Sequence, residues 1–501
     1  MHERLSTALR MVRCAADRPD PTEPLAVGTL AELSGTSTSS ASRTAAALDD
    51  VGLLGRAEGY GAYRIGERAL ALSGAAAAPW AVPVDFTLTR LAASTRETVC
   101  LVAPVPGGAR VVASVASSWT VHVAARVGSL LSEPGSAAVA ALHPDELPPA
   151  ELWTAGVGPV LTSTGAESGQ VAVPVLDRDG TCVAALVVCF PLGRAERVEP
   201  VARRALLAAR EQLRTAAGRV PGATPPPRAS RPVDDRSSLA LAAAALEEVA
   251  AIGRGPADLV AVRLGARTDR VDRVLTAAVD IGLLRRDDDG DSYSPSWSVH
   301  GWQRAVAEAV LGPRIAPLVT AAARDAGTTA YLTVRRGLRS TTVAEAFADG
   351  GLTTQSWLGR PAQIVGADGG ALLVMDLDDA QISAVLPERT VVTARRTPRD
   401  LPSFLAAVAA ARREDRLVLE DFGEDGLTSV AAPVRGAAGT VVAAACLVGP
   451  SERIGGRLER TAAIAARLAA DVSALLGGPG HRAAGRRPSA VEGAVRGASG
   501  D

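Results

Sequence analysis

Three serines and an arginine offer the clearest chemistry in this chain. Ser39, Ser40, Ser42 and Arg43 stand within GTSTSSASRTAAALDDVGLL, which begins at Gly35. Hydroxyls bond phosphate oxygens or base edges, and a guanidinium does either, bidentately to guanine. Ala41, Thr44, Ala45, Leu48 and Val51 form the inner stripe of a helix over about 38–51, which leaves the serines and Arg43 on its outer face. Thr38 and the neighbouring serines supply N-cap chemistry, and Gly52 can close the helix in a left-handed conformation. Thr29 to Leu33 reads as a shorter helix with Leu30 and Leu33 inward, ended by a turn at Gly35. Arg56 to Ile65 reads as a Gly-turned hairpin that carries Arg64. Helix, turn, helix and hairpin is the winged helix-turn-helix pattern, whose partner is double-stranded DNA. Thr38, Ser39, Ser40, Ser42, Arg43 and Arg64 are its candidate DNA contacts.

The passage recurs. GARTDRVDRVLTAAVDIGLL begins at Gly265, 230 positions after Gly35, with Gly, Thr, Arg, Ala, Asp and the closing Gly-Leu-Leu in one register. So long a period marks a duplicated multi-domain unit, not a solenoid repeat. In the second copy Arg267, Arg270 and Arg273 recur every three residues along one helical side. They form either a phosphate-binding stripe or a solvated face paired with Asp269 and Asp272. The first copy is weakly acidic, with two Arg against Glu32, Asp49 and Asp50 between Val27 and Arg56. The second holds six Arg against four Asp between Asp258 and Arg286. Arg263 replaces Leu33, read as a core residue.

These elements need scaffolds. Leu5 to Ala16 is an amphipathic helix, Glu67 to Ser73 another, and Ala75 to Pro79 a linker. Thr98 to Val102, Arg110 to Ser114 and Val121 to Ala125 are strand-like. Gly135 to Leu142 is a small-residue helix. Val171 to Leu176 and Cys182 to Phe190 pair across Asp177 to Gly180, and Val198 to Ala216 is a closing helix. The order returns as a helix over Leu239 to Ala251, helix-turn-helix at Asp258 to Leu264 and Thr268 to Ile281, and a wing at Arg285 to Ser294 with DDDGD at its tip. Strands at Thr329 to Thr333, Val343 to Phe347, Val430 to Val434 and Val441 to Val448 follow, then a helix over Leu458 to Leu476. VAVPV at Val171 and VAAPV at Val430 lie 259 apart, so the second copy holds 29 extra residues, expected around Asp376 to Gly426. The domains expected are 1–74 winged helix-turn-helix, 80–218 effector domain, 219–236 Pro-rich linker, 237–300 second winged helix-turn-helix, 301–477 second effector domain and 478–501 disordered tail.

Composition bounds the function. The 501 residues are 47% apolar and 3% aromatic, with no Lys and a net charge of −1, so any nucleic-acid contact must be local. The N-terminus lacks a signal-peptide core and the longest apolar runs are too short to span a bilayer, which predicts a cytoplasmic protein without membrane association. Five scattered Cys without CxxC spacing indicate neither a disulfide frame nor a zinc site. No two of the five His stand at metal-ligand spacing, and no GxSxG, P-loop or dinucleotide fingerprint appears. No metal, cofactor or enzymatic activity is expected.

Three sets of residues carry a resemblance. TLAELSG from Thr29, SSASR from Ser39 and the run Leu48 to Leu54 form one. YRIG from Tyr63 is the second; GLTSVAAPV from Gly426 with LVGP from Leu447 is the third. Together they resemble the IclR family of bacterial transcription regulators, and their order, seen in both halves, spans nearly the whole chain. The resemblance implies an α+β chain in which two winged helix-turn-helix domains alternate with two GAF-like (profilin-like) α/β effector domains. A tandem fusion is not the family's usual architecture. Cys446 and Val448 share one face of a strand; Val187 and Cys189 are their first-copy counterparts. Ser429 and Gln170 hold matching places one strand earlier. By resemblance these line a ligand pocket for a small organic effector such as an organic acid, with Asp421 and Glu424 as rim residues or a solvated loop. A fully packed first-copy core is the alternative there. The function expected is a ligand-responsive, DNA-binding transcription regulator, acting as a homodimer or intramolecular pseudo-dimer. The alternative is a small-molecule sensor or protein-interaction module that has lost DNA binding.

Overall fold

The computed structural model describes residues 2–133, 135–143, 160–177, 180–219, 237–287, 290–348, 355–386 and 391–478. Residues 220–236 of the linker, 479–501 of the tail and 288–289 at the second hairpin tip lie outside the described residues. The first unit runs α1 (His2–Ala16), β1 (Leu25–Ala26), α2 (Val27–Ser34), α3 (Thr38–Asp50), β2 (Leu54–Arg56) and β3 (Ala62–Ile65). Its three strands pair in the order β1-β3-β2. Ser37, not Thr38, caps α3, accepting a hydrogen bond from the Ser40 N–H at 3.3 Å. Ala41, Ala45 and Leu48 are buried; Thr44 and Val51 are half-buried. The hairpin returns so closely that a Cβ at Gly66 would lie 2.2 Å from the Gly52 carbonyl oxygen. Leu33 is not a core residue: it is 53% exposed, because Leu30, Ala31 and Ser34 supply the inward face of α2.

Next comes α4 (Glu67–Thr95), one continuous helix that absorbs the expected Ala75 to Pro79 linker. The Ala run has high helix propensity, and burial of Leu72, Ala77, Leu88 and Leu91 outweighs the donors lost at Pro79 and Pro83. Trp80 on α4 packs against Trp297 at 4.9 Å. β4 (Thr98–Val105), β5 (Gly108–Val115), β6 (Leu130–Leu131), α5 (Ala137–Ala140), β7 (Leu161–Thr164), β8 (Ser168–Leu176), β9 (Cys182–Pro191) and α6 (Ala195–Arg219) follow. The strands form one antiparallel sheet, β6-β5-β4-β9-β8-β7. Val121 to Ala125, expected as a strand, is an irregular loop.

Residues 238–295 repeat the element order of the first unit: α7 (Ser238–Ile252), β10 (Gly255–Pro256), α8 (Ala257–Leu264), α9 (Thr268–Asp280), β11 (Leu284–Arg286) and β12 (Ser292–Pro295), paired β10-β12-β11. A short 3-10 helix at Trp297–Gly301 leads into α10 (Trp302–Val310) and α11 (Ala316–Ala326). The remaining elements are β13 (Thr329–Arg336), β14 (Arg339–Ala346), β15 (Pro361–Gln363), α12 (Gly370–Val374), α13 (Asp379–Val385), α14 (Leu401–Glu414), β16 (Leu417–Glu420), β17 (Leu427–Arg435), β18 (Val441–Pro450), α15 (Ser451–Gly455) and α16 (Leu458–Leu475). Their sheet order, β15-β14-β13-β18-β17-β16, matches the first sheet position for position. The extra residues of the second half are α12 to α14, where the first half shows only α5 among its described residues.

The two helical units share a core. Leu9, Leu30 and Leu48 belong to the same buried cluster as Leu246, Val274 and Leu275. Arg68 on α4 bridges bidentately to Glu247 on α7 at 2.8 and 2.7 Å, and the Arg13 guanidinium on α1 donates to the Ile281 carbonyl after α9. α4 is the one described helix long and apolar enough to cross a membrane, and 56% of that stretch is buried inside the protein, as in a core helix.

Candidate functional site

On α3, Thr38, Ser39, Ser42 and Arg43 are exposed and Ser40 is half-buried. Ser37 and Ser39 hydroxyls stand 3.3 Å apart at the helix start, where unpaired N–H groups and the helix dipole favour an anion. Arg43 and Arg64 are exposed, and neither side chain has a hydrogen bond or ion pair among the described residues. Both guanidiniums are therefore available to an outside partner. Arg56 donates to Asp49 at 3.0 Å, which fastens the hairpin to the far end of α3 and neutralises one of its two terminal carboxylates. Fully exposed Tyr60 crowns the hairpin; sequence reasoning passed over it because a lone aromatic in a Gly-rich turn carries no periodic signal.

The matching face of α9 is internally paired. Asp269 holds Arg267 at 3.0 Å and Arg273 at 3.0 Å. Asp272 accepts a 2.6 Å hydrogen bond from the Tyr293 hydroxyl, and Arg286 approaches the same carboxylate at 3.5 Å. Arg270 is half-buried. Pairing with Asp269 therefore describes Arg267 and Arg273 better than an open phosphate stripe. Arg263 is half-buried in an ion pair with buried Glu248, which accounts for an arginine where the first unit has exposed Leu33.

In the second sheet the alternation holds. Cys446 and Val448 on β18 share one buried cluster with Ala431 on β17, Tyr331 on β13, Leu372 and Leu373 on α12 and Phe404 on α14. Ala443, Ala445 and Leu447 face the other way, with α11 and α16. Ser429 pairs directly with Val448 in register. A polar group that the sequence did not announce sits here: the Tyr331 hydroxyl donates to Asp368 at 2.7 Å. The Ser429 hydroxyl is fully buried beside the same carboxyl, outside good hydrogen-bond geometry to it. Burial raises the Asp368 carboxyl above the usual carboxylate range, partly offset by the hydrogen bond from Tyr331. Burial also raises the Cys446 thiol, with the Asp368 charge adding to it. A Cβ at Gly369 would lie 2.6 Å from Ala444 Cβ, so only glycine lets this loop lie directly on β18. Trp357 meets the Tyr331 ring edge-on at 5.2 Å. No sequence motif marks Asp368 or Tyr331; a strand tyrosine and a loop aspartate meet only through the fold.

Asp421 is otherwise engaged. It sits at φ 52° and accepts from the Gly426 N–H at 2.7 Å and from Arg395 at 2.9 Å, which shapes the β16–β17 loop; Glu424 is exposed. In the first sheet Val187 and Cys189 cluster with Cys100, Val102, Ala172 and the alanines of α5. Gln170 accepts from Ser136 at 2.9 Å and from the Ala138 N–H at 3.3 Å, so it anchors the start of α5. Cys100 takes the place that Tyr331 holds in the second sheet, paired with Val187 as Tyr331 is with Cys446. Among the described residues no group of three or more His, Cys, Asp or Glu could hold a metal.

Comparison with known proteins adds the following. Residues 303–474 match the family model of the bacterial transcriptional regulator IclR C-terminal domain. No curated protein matches the chain. Among solved structures, a candidate IclR regulator from Silicibacter sp. is 18% identical, with 48% of this chain covering 96% of that one at a TM-score of 0.39. An IclR homolog from Microbacterium hydrocarbonoxydans, complexed with 4-hydroxybenzoate, is 19% identical, with 48% covering 99% and a TM-score of 0.31. Thermotoga maritima IclR is 15% identical, with 45% covering 92% and a TM-score of 0.32. The second half of the chain, with its six-stranded sheet and the Tyr331–Asp368 site, thus carries the match to the C-terminal domain of IclR-type transcriptional regulators.

Proposed function

We propose that the protein is a ligand-responsive, DNA-binding transcription regulator of IclR type, made of two fused regulator units and acting in the cytoplasm as an intramolecular pseudo-dimer. The observation that carries the DNA-binding reading is the exposed Ser39, Ser42 and Arg43 face of α3, with an unengaged guanidinium beside an exposed β-hairpin. α3 reads base edges in the major groove, and Arg64 on the wing meets phosphate. α9 contributes more weakly, because Arg267 and Arg273 must exchange Asp269 for DNA. The two half-sites are therefore unlike.

We assign the effector chamber to the space between β17–β18 and α12–α14 of the second half, where the apolar cluster is closely packed in this structure and a ligand enters by displacing that packing. Its apolar walls suit a small organic molecule, and Asp368 selects an end that donates a hydrogen bond, such as a hydroxyl or an ammonium. An organic acid enters with its carboxylate turned from Asp368, since two buried carboxylates cannot both stay ionised side by side. α4 links chamber to reading head: it starts directly after β3, and its Phe86 packs in the same cluster as Leu372 and Leu373. A ligand that prefers one packing of α12 shifts the population of α4 positions, and so the spacing of α3 and α9. The second reading, a sensor without DNA binding, draws on the internal pairing of the α9 arginines.

A mobility shift on the protein's own upstream DNA separates the readings. Retarded DNA, lost with Arg43→Ala, supports the regulator; no shift at low salt supports the sensor.

A further inference from the structure

A groove of about 720 Å³ runs between α4 and α6 of the first half and the start of α13 of the second. We infer that this groove is a second ligand site, separate from the effector chamber, that takes an uncharged aromatic amide and joins the halves. It goes beyond the regulator reading and does not depend on it.

Two helical stripes form the walls. Pro79, Pro83, Phe86 and Thr87 follow one face of α4, and Ala208, Gln212 and Ala216 follow one face of α6. Phe86 is 6% exposed and makes an apolar floor. Beside it Thr87 is 1% exposed, and its hydroxyl has no hydrogen-bond partner, although a helical threonine can bond a carbonyl one turn back. A buried hydroxyl without a partner is costly, so a ligand group that engages it is favoured. Pro83 has no N–H, so the Pro79 carbonyl lacks its helical donor on this same face. Gln212 makes no hydrogen bond among the described residues, and Gln381 spends only its carbonyl oxygen, on the Asp378 N–H at 3.0 Å. Thr87 and both glutamines therefore donate, while Thr87, Gln212 and the Pro79 carbonyl accept. A carboxamide, with one carbonyl and one N–H2, complements that set. The charges exclude the alternatives. Glu211 and Asp378 stand at the rim, and no arginine lines the groove among the described residues. Arg214 already holds Glu211 at 2.8 and 2.5 Å, and Arg90 lies over the Phe86 ring at 5.8 Å. An organic acid finds only carboxylates facing the space, and an ammonium gains an exposed pair with Asp378, which is worth little. The volume falls within the range of small-molecule sites.

The test is equilibrium dialysis of the full chain against 2-naphthamide, with the isosteres 2-naphthoate and 2-naphthylmethylamine as charged controls. The amide should bind at least about tenfold tighter than either control, because neither charge finds a buried partner here. Thr87→Val swaps the unpartnered hydroxyl for a methyl group of the same shape. It should weaken amide binding roughly three- to tenfold without lowering the unfolding temperature. Ala208→Trp, at an exposed position on the rim, should fill the groove and remove the site with the fold intact. Asp368→Asn should leave this binding unchanged, which separates the groove from the chamber. No binding of the amide, equal binding of the acid or the amine, or binding indifferent to Thr87→Val or to Ala208→Trp would overturn the assignment.

Discussion

Replacing Arg43 by Ala separates a reading helix from a merely exposed one. The side chain is exposed and makes no hydrogen bond or ion pair among the described residues, so its removal costs the fold little and the unfolding temperature should not move. If Arg43 forks onto a guanine edge, the loss is about 1–3 kcal/mol, or roughly 5- to 150-fold in Kd, and preference at that base pair relaxes. If it meets phosphate alone, binding weakens evenly across sequences, and the slope of log K against log salt falls by about 0.9. Arg273→Ala should cost less, because Arg273 is already held by Asp269 at 3.0 Å. The converse change, Asp269→Asn, frees Arg267 and Arg273, and should tighten non-specific binding and steepen the salt slope by about 0.9 per freed charge. Fluorescence anisotropy on upstream DNA from about 50 to 200 mM salt reads all three. Equal losses for Arg43→Ala and Arg273→Ala, or none for either, would refute the assignment of α3 as the principal reader.

Other outcomes follow from the packing. Ser37→Ala removes the α3 cap and should lower stability by about 1 kcal/mol in urea unfolding. Glu97 is fully buried and grips Arg194 through 2.6 and 2.8 Å hydrogen bonds; Glu97→Gln leaves that guanidinium short of its counter-charge and should cost about 3 kcal/mol, near the low end for a broken buried pair because Arg194 keeps some solvent. His300 is buried and stacked on Trp297 at 5.0 Å; burial first, then the charge of Arg304, lowers its pKa to about 3. The folded state therefore binds that proton less readily than the unfolded chain, and the stability is complete above pH 6.5 and lost as pH falls toward 3, at up to about 1.4 kcal/mol per pH unit. His300→Gln should flatten the profile between pH 6.5 and 5; an unchanged slope would count against it. Asp368→Asn should shift the chamber's preference from 4-hydroxybenzylamine toward 4-hydroxybenzoate in thermal-shift titration, and no change in ranking would remove Asp368 from ligand selection.

Periodicity made much of this fold readable. The stripe Ala41, Ala45 and Leu48 and the alternation of Cys446 and Val448 against Leu447 depend on local geometry alone, and the sequence spells them directly. Three features escaped, two because a distant partner decides them and one because residue type outweighed helical position. Ala75 to Pro79 reads as a linker by its proline, yet Trp297 and the core hold it helical. Leu33 reads as buried by type, yet it lies off the inward face of α2. Asp421 reads as a pocket rim residue or part of a solvated loop; its carboxylate folds its own loop, and the carboxyl beside Cys446 is Asp368, brought to Tyr331 by an approach of loop to strand that no spacing encodes. The paired state of the α9 arginines was legible as one of two alternatives from Asp269 and Asp272, because i,i+4 neighbours on a helix meet by geometry.

Hydroxyl-radical footprinting of the upstream region at physiological salt is the most direct trial of a chain that holds DNA with two unlike heads. One chain should protect two adjoining tracts, with only the α3-side tract lost in Arg43→Ala. Protection by a perfect palindrome that needs two chains, or no protection at all, would contradict it.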